Sequence, residues 1–61
     1  MATIEKIKAE ILNYSILKDI IEVEFDDYVL EVNLKYFKDI EINKDTLAEI
    51  IYKHYQNRKD N

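Results

Sequence analysis

The sequence contains no cysteine, no glycine and no proline in 61 residues. Without cysteine, neither a disulfide nor a thiolate metal cluster can stabilise so short a chain. Without glycine, the phosphate-binding loops of P-loop and dinucleotide-binding proteins are excluded, because their backbones approach the anion at glycines. A chain of this length buries only about 60% of its unfolded surface. A small apolar core must therefore stabilise the fold, and Asp, Asn and Lys must form the turns.

The composition is typical of a soluble globular domain, with 48% hydrophobic and 36% charged residues. No apolar run is long enough to span a membrane. Met1-Ala2-Thr3 leads into a charged amphipathic segment rather than a signal sequence, so we expect one cytoplasmic domain over residues 1–61, with a frayed polar tail at 56–61. Thirteen acidic and nine basic residues give a net charge of −4, which argues against direct binding of nucleic acid.

Apolar residues with helical spacing predict a helix near each end of the chain. The first helix, of about three turns after an N-cap at Thr3, is indicated by Ile4, Ile7, Ile11 and Tyr14. The second is indicated by Leu47, Ile50, Ile51, His54 and Tyr55. Thr46 and Glu49 fit a capping box for this second helix, and Asn43 or Asp45 are alternative caps.

Two runs of alternating apolar and polar residues, 20–25 and 28–34, predict a β-hairpin around Asp26-Asp27. This register pairs Ile21 with Val32, Val23 with Leu30 and Phe25 with Tyr28. Residues 40–42 are predicted as a short third strand. The expected fold is α+β, in the order helix, strand, strand, short strand, helix. Both helices pack on one face of an antiparallel sheet, and the other face is open and acidic.

Residues 19–34 contain six acids and no base: Asp19, Glu22, Glu24, Asp26, Asp27 and Glu31. The predicted register sets Glu22 opposite Glu31, and like charges paired across strands are destabilising. One interpretation is a negatively charged surface that docks on a basic protein. The other is a solvated face that keeps a small sheet soluble.

The residues that could perform chemistry are few. His54 is the only histidine, and one helical turn away stand Ile50 and Arg58 rather than metal ligands, so we expect packing and no metal site. No aliphatic hydroxyl is placed to meet His54 and a carboxylate in a catalytic triad. We therefore expect no enzymatic activity and no cofactor.

The chain also contains seven aromatic residues. Four are predicted to face the core: Tyr14, Phe25, Tyr28 and Tyr55. Tyr52 and one of Tyr36 or Phe37 are predicted to be exposed, and exposed aromatic residues commonly anchor protein interfaces. Tyr36 is therefore a candidate contact residue.

The order helix, three strands, helix resembles the double-stranded RNA-binding domain over nearly the whole chain. That family places a lysine cluster at the start of its second helix, whereas this sequence has Asn43-Lys44-Asp45-Thr46 there. The resemblance therefore extends to the layout and not to RNA binding. In size and acidity the chain is also similar to the small inhibitors of bacteriophages and mobile elements, some of which imitate DNA.

The leading prediction is a small acidic, non-enzymatic protein-binding module, such as an inhibitor that blocks a basic, nucleic-acid-binding surface of a target protein. Its predicted contact residues are Glu22, Glu24, Asp26, Asp27, Glu31 and Tyr36. One alternative is a structural or regulatory homo-oligomer that pairs through a strand edge. A lesser alternative is nucleic-acid binding through Lys35, Lys38, Lys44 and Lys53.

Overall fold

The structure is a computed structural model that describes residues 3–55. Its elements are helix α1 (Ile4–Glu10), strands β1 (Asn13–Ile16), β2 (Ile20–Glu24) and β3 (Val29–Asn33), a 3-10 helix (Leu34–Phe37) and helix α2 (Lys44–His54). The strands form one antiparallel sheet in the order β1-β2-β3. The predicted α+β order of helix, three strands and helix is confirmed. The predicted frayed tail at 56–61 lies outside the described residues.

The β2–β3 hairpin has the predicted register. The paired residues include Ile21 with Val32, Glu22 with Glu31 and Val23 with Leu30. The two-residue loop Asp26-Asp27 is closed where the Phe25 N–H donates to the Tyr28 carbonyl at 2.8 Å. A slip by one residue would turn the three fully buried side chains, Ile21, Val23 and Val32, towards solvent. Burial of one sheet face therefore specifies this register.

The prediction of a strand at 40–42 is wrong, because the third strand lies before the hairpin. β1 pairs with the free side of β2, which makes β2 the central strand. Correspondingly, α1 ends at Glu10 instead of continuing to Tyr14. If the helix continued through Tyr14, the backbone N–H and C=O groups on this side of β2 would have no hydrogen-bond partners. As a strand, residues 13–16 provide those partners. The sheet thus overrides the helical spacing of Ile11 and Tyr14.

The segment between β3 and α2 reverses the chain without glycine. Phe37 is buried at the end of the 3-10 helix, and Asp39 takes a left-handed conformation with φ of 64°. Asp is one of the few residues other than glycine that adopt this conformation readily. The Ile40 N–H then donates to the Phe37 carbonyl at 2.9 Å. Residues 40–42 therefore form a connection to α2.

Helix α2 begins at a capping box built on Asn43, the alternative to the predicted box of Thr46 with Glu49. Asn43 Oδ1 accepts from the Thr46 N–H at 2.9 Å, and Thr46 Oγ1 accepts from the Asn43 N–H at 3.0 Å. The Thr46 hydroxyl also donates to the Glu41 carbonyl at 2.7 Å. At the other helix, Thr3 is the N-cap, as predicted.

Both helices share one apolar core with one face of the sheet. Its buried members are Ile7, Ile11, Ile21, Val23, Phe25, Val32, Phe37, Leu47, Ala48, Ile50 and Ile51. No polar or charged side chain of the described residues is buried. An ion pair of 2.6 Å between Lys8 Nζ and Asp45 Oδ1 joins the two helices. Neither described helix has the length and apolar character needed to cross a membrane.

The hairpin register predicts opposite outcomes for two valines on β3. Val32→Ala should lower the free energy of unfolding by about 2 kcal/mol, because Val32 is fully buried and its truncation leaves a cavity. Val29→Ala is the matched control, since Val29 is 55% exposed on the same strand, and it should change stability by less than about 0.5 kcal/mol. Urea unfolding of the two variants measures this difference. Equal destabilisation would contradict the register.

Candidate protein-binding surface

The sheet face directed away from the helices carries three carboxylates. We call this surface the outer sheet face, and its residues alternate along the strands with those of the core: Asn13, Ser15, Ile20, Glu22, Glu24, Val29, Glu31 and Asn33. Glu22 lies on the central strand, opposite Ser15 on one side and Glu31 on the other. Glu24 and Glu31 are exposed, and Glu22 is half-buried. This surface therefore combines three acids with no base.

Glu22 and Glu31 are close neighbours because of the pairing pattern. The Phe25–Tyr28 pair at the turn is hydrogen-bonded, and hydrogen-bonded and non-hydrogen-bonded pairs alternate along antiparallel strands. Glu22 and Glu31 therefore form a non-hydrogen-bonded pair, with Cα atoms about 4.5 Å apart and side chains close together. Among the described residues, neither carboxylate has an ion pair or a hydrogen bond.

Asp26 and Asp27 lie at the turn that ends the hairpin, beside the outer sheet face. With Glu10 they border an open cleft of about 400 Å³, whose apolar part is formed by Leu12, Phe25 and Tyr28. The rings of Phe25 and Tyr28 are stacked with centroids 5.0 Å apart. We call this feature the acidic cleft. Its combination of apolar surface and carboxylates suits a long basic side chain with an aliphatic stem.

Tyr36 lies apart from the predicted carboxylates. It belongs to the 3-10 helix, is half-buried, and stacks on His54 at a centroid distance of 4.1 Å. Its ring also meets Tyr55 edge-on at 6.1 Å. The Tyr55 hydroxyl in turn accepts from the Asn33 N–H at 3.0 Å, which ties the end of α2 to the end of β3. These contacts pack Tyr36 against the end of α2, and because Phe37 is buried, the prediction that one of the two is exposed is wrong.

Two further predictions about ring-bearing side chains are wrong. Tyr28 is 51% exposed instead of buried in the core, because it lies at the turn before β3, where its ring stacks on Phe25. His54 is exposed at the end of α2, where its ring stacks on Tyr36, instead of lying within the buried stripe. Tyr52 is exposed, as predicted, and Phe25 is buried, as predicted. Tyr14 and Tyr55 are partly buried against the core.

Sequence reasoning missed the exposed apolar residues along β1. Leu12 and Ile16 are each 55% exposed, and Leu17 is also exposed. The assignment of this segment to a helix and a linker concealed them. The sequence does contain a signal for this apolar segment, because no residue between Glu10 and Lys18 is charged. Residues 11–17 read Ile-Leu-Asn-Tyr-Ser-Ile-Leu.

Comparisons with protein-family models, with curated proteins and with solved structures found no match to this chain. The described residues also contain no group of three His, Asp or Glu side chains that could hold a metal ion.

The pairing of Glu22 with Glu31 predicts that Glu31→Lys stabilises the protein. The substitution changes a like-charge pair into an opposite-charge pair, and we expect a gain of about 0.5 kcal/mol in the free energy of unfolding. Glu24→Lys makes the same charge change on the same face, but Glu24 is paired with Val29 and should gain less. Urea unfolding at low ionic strength measures the two gains. Added salt should reduce the difference between them.

A gain that is equal in the two variants would instead show that the net charge of −4 is responsible and that the Glu22–Glu31 pair has no local effect.

Proposed function

We propose that this chain is a small, non-enzymatic protein-binding module that docks its outer sheet face on a basic surface of a target protein. The observation that carries the proposal is the group Glu22, Glu24 and Glu31, three carboxylates on a sheet face that is directed away from the helices and, among residues 3–55, carries no base. Charges of one sign on an open surface accelerate association with an oppositely charged partner and disfavour other partners. Asp26 and Asp27 extend the negative surface at the end of the hairpin.

The spacing of these carboxylates supports a partner with several cationic groups. Glu22 and Glu31 are adjacent across strands, and Glu22 and Glu24 are two positions apart, about 7 Å along the strand. A partner that approaches this face can therefore place several Arg or Lys side chains against it at once. Such pairs are charge-assisted hydrogen bonds, which are stronger than bonds between neutral groups.

The same charges favour a protein partner over a nucleic acid. Phosphates would be repelled by the outer sheet face, whereas basic residues would neutralise it. At the start of α2, Lys44 stands beside Asp45, and Asp45 forms an ion pair with Lys8. The lysine cluster of the double-stranded RNA-binding domain therefore has no counterpart at this position. A basic protein surface that normally holds nucleic acid fits the face better, and occupying it would inhibit that protein.

The proposal predicts that removing the three charges abolishes partner capture. Tagged wild-type protein should retain a basic partner from cells that natively produce it. The variant E22Q/E24Q/E31Q should retain at least about tenfold less, because each charged group at an interface contributes on the order of 1 kcal/mol or more. Quantitative mass spectrometry of the captured proteins measures the loss. Nucleic acid added to the wild-type complex should displace the partner.

The matched control is E5Q/E41Q/E49Q, which removes the same number of charges from exposed positions outside the sheet. It should retain the partner, and circular dichroism should show both variants folded. If both triple variants lose the partner equally, net charge and not the outer sheet face is responsible. If neither variant loses the partner, the outer sheet face does not bind it and serves only to keep the sheet soluble.

A further inference from the structure

Within residues 3–55, strand β1 has one side without a partner strand, because it is the edge strand next to β2. The Leu17 N–H donates to the Ile20 carbonyl at 2.8 Å, so Leu17 directs its backbone groups towards β2. By antiparallel alternation, Ile16 and Tyr14 direct theirs outward. The Tyr14 N–H is held at 2.9 Å by Oδ1 of the exposed neighbour Asn13, which can exchange for another acceptor. The same alternation directs the Ile16 N–H away from β2, towards the open edge of the sheet.

The two edges of the sheet differ in chemistry. Segment 11–17, which includes β1, has no charge and exposes Leu12 and Ile16. The opposite edge, β3, carries Glu31 and donates the Asn33 N–H to the Tyr55 hydroxyl. Natural edge strands are commonly protected by charges, and an uncharged apolar edge favours pairing with another strand. Pairing between chains is therefore expected at β1 and not at β3.

Charge complementarity indicates that the second strand comes from a copy of this chain. The uncharged segment begins after Glu10, which borders the acidic cleft, and ends before Lys18. When two such segments pair antiparallel, the acidic end of one lies beside the basic end of the other. Lys18 of each copy would then reach the cleft formed by Glu10, Asp26 and Asp27 of the other copy.

From these observations we infer that two copies of this chain pair antiparallel through β1, with Tyr14 at the two-fold axis. The Leu12 side chain of one copy then lies opposite the Ile16 side chain of the other, so the exposed apolar residues cover each other twice, while the Leu12 N–H keeps its bond of 2.8 Å to the Glu24 carbonyl of its own sheet. The two sheets join into one continuous sheet with all four helices on one side. The outer sheet faces lie together on the other side, which doubles the number of carboxylates there. The inference goes beyond the docking function and does not depend on it.

Sedimentation equilibrium over a range of concentrations tests this dimer. The wild-type protein should dimerise, and Ile16→Lys should raise the dissociation constant by at least about 100-fold, because it places two buried charges at the paired edge. Val29→Lys is the matched control, since Val29 is equally exposed at 55% but lies on β3. It should change the constant by less than about threefold. Circular dichroism should show both variants folded.

A second pair of variants tests the charges without altering the apolar edge. Lys18→Glu should raise the dissociation constant about tenfold, because it sets a carboxylate against the acidic cleft of the other copy. Lys38→Glu, the same change at an exposed position outside β1, should raise it by less than about threefold. A wild-type monomer at about 1 mM would overturn the inference. So would equal effects of Ile16→Lys and Val29→Lys, or of Lys18→Glu and Lys38→Glu.

Discussion

Side-chain alternation in the β2–β3 hairpin places Ile21, Val23 and Val32 in the core and, by the same geometry, sets Glu22 beside Glu31 in solvent. The two effects differ greatly in size. Burying each of these aliphatic side chains contributes about 1.5–3 kcal/mol, whereas a like-charge pair across strands costs a few tenths of a kcal/mol or more. The core therefore dictates the register, and the close carboxylates are its consequence. The carboxylates of the outer sheet face on β2 and β3 follow from this pairing.

The helices depend on that sheet in turn. With seven and eleven residues, α1 and α2 are too short to be stable alone in water, so their caps and their packing on the apolar sheet face maintain them. Because both occupy the same face, neither helix covers the outer sheet face, and β1 is an edge strand within the described residues. The first is acidic and suits a basic partner, and the second is uncharged and suits another copy. The two proposed contacts use different surfaces and can form together.

The parts of the fold that sequence reasoning predicted correctly are those defined by neighbouring residues. The hairpin has two alternating runs joined by a two-residue loop, and α2 has an apolar stripe behind polar capping residues. The opposition of Glu22 and Glu31 follows directly from the hairpin. Residues 11–17 are different, because Ile11 and Tyr14 fit a helical spacing while the whole segment also fits an edge strand. The placement of Tyr36 against His54 likewise depends on how the 3-10 helix meets the end of α2.

The sequence by itself determined the fold class, the hairpin register and the group of carboxylates, because these depend on periodicity and on contacts close along the chain. Tertiary structure alone decided which edge of the hairpin acquires the third strand. Residues 13–16 supply hydrogen-bond partners to the backbone groups on the free side of β2, whereas residues 40–42 follow a reversal at Asp39 that leads into α2. That choice created the uncharged edge and the acidic cleft, since both require β1 to lie beside the hairpin.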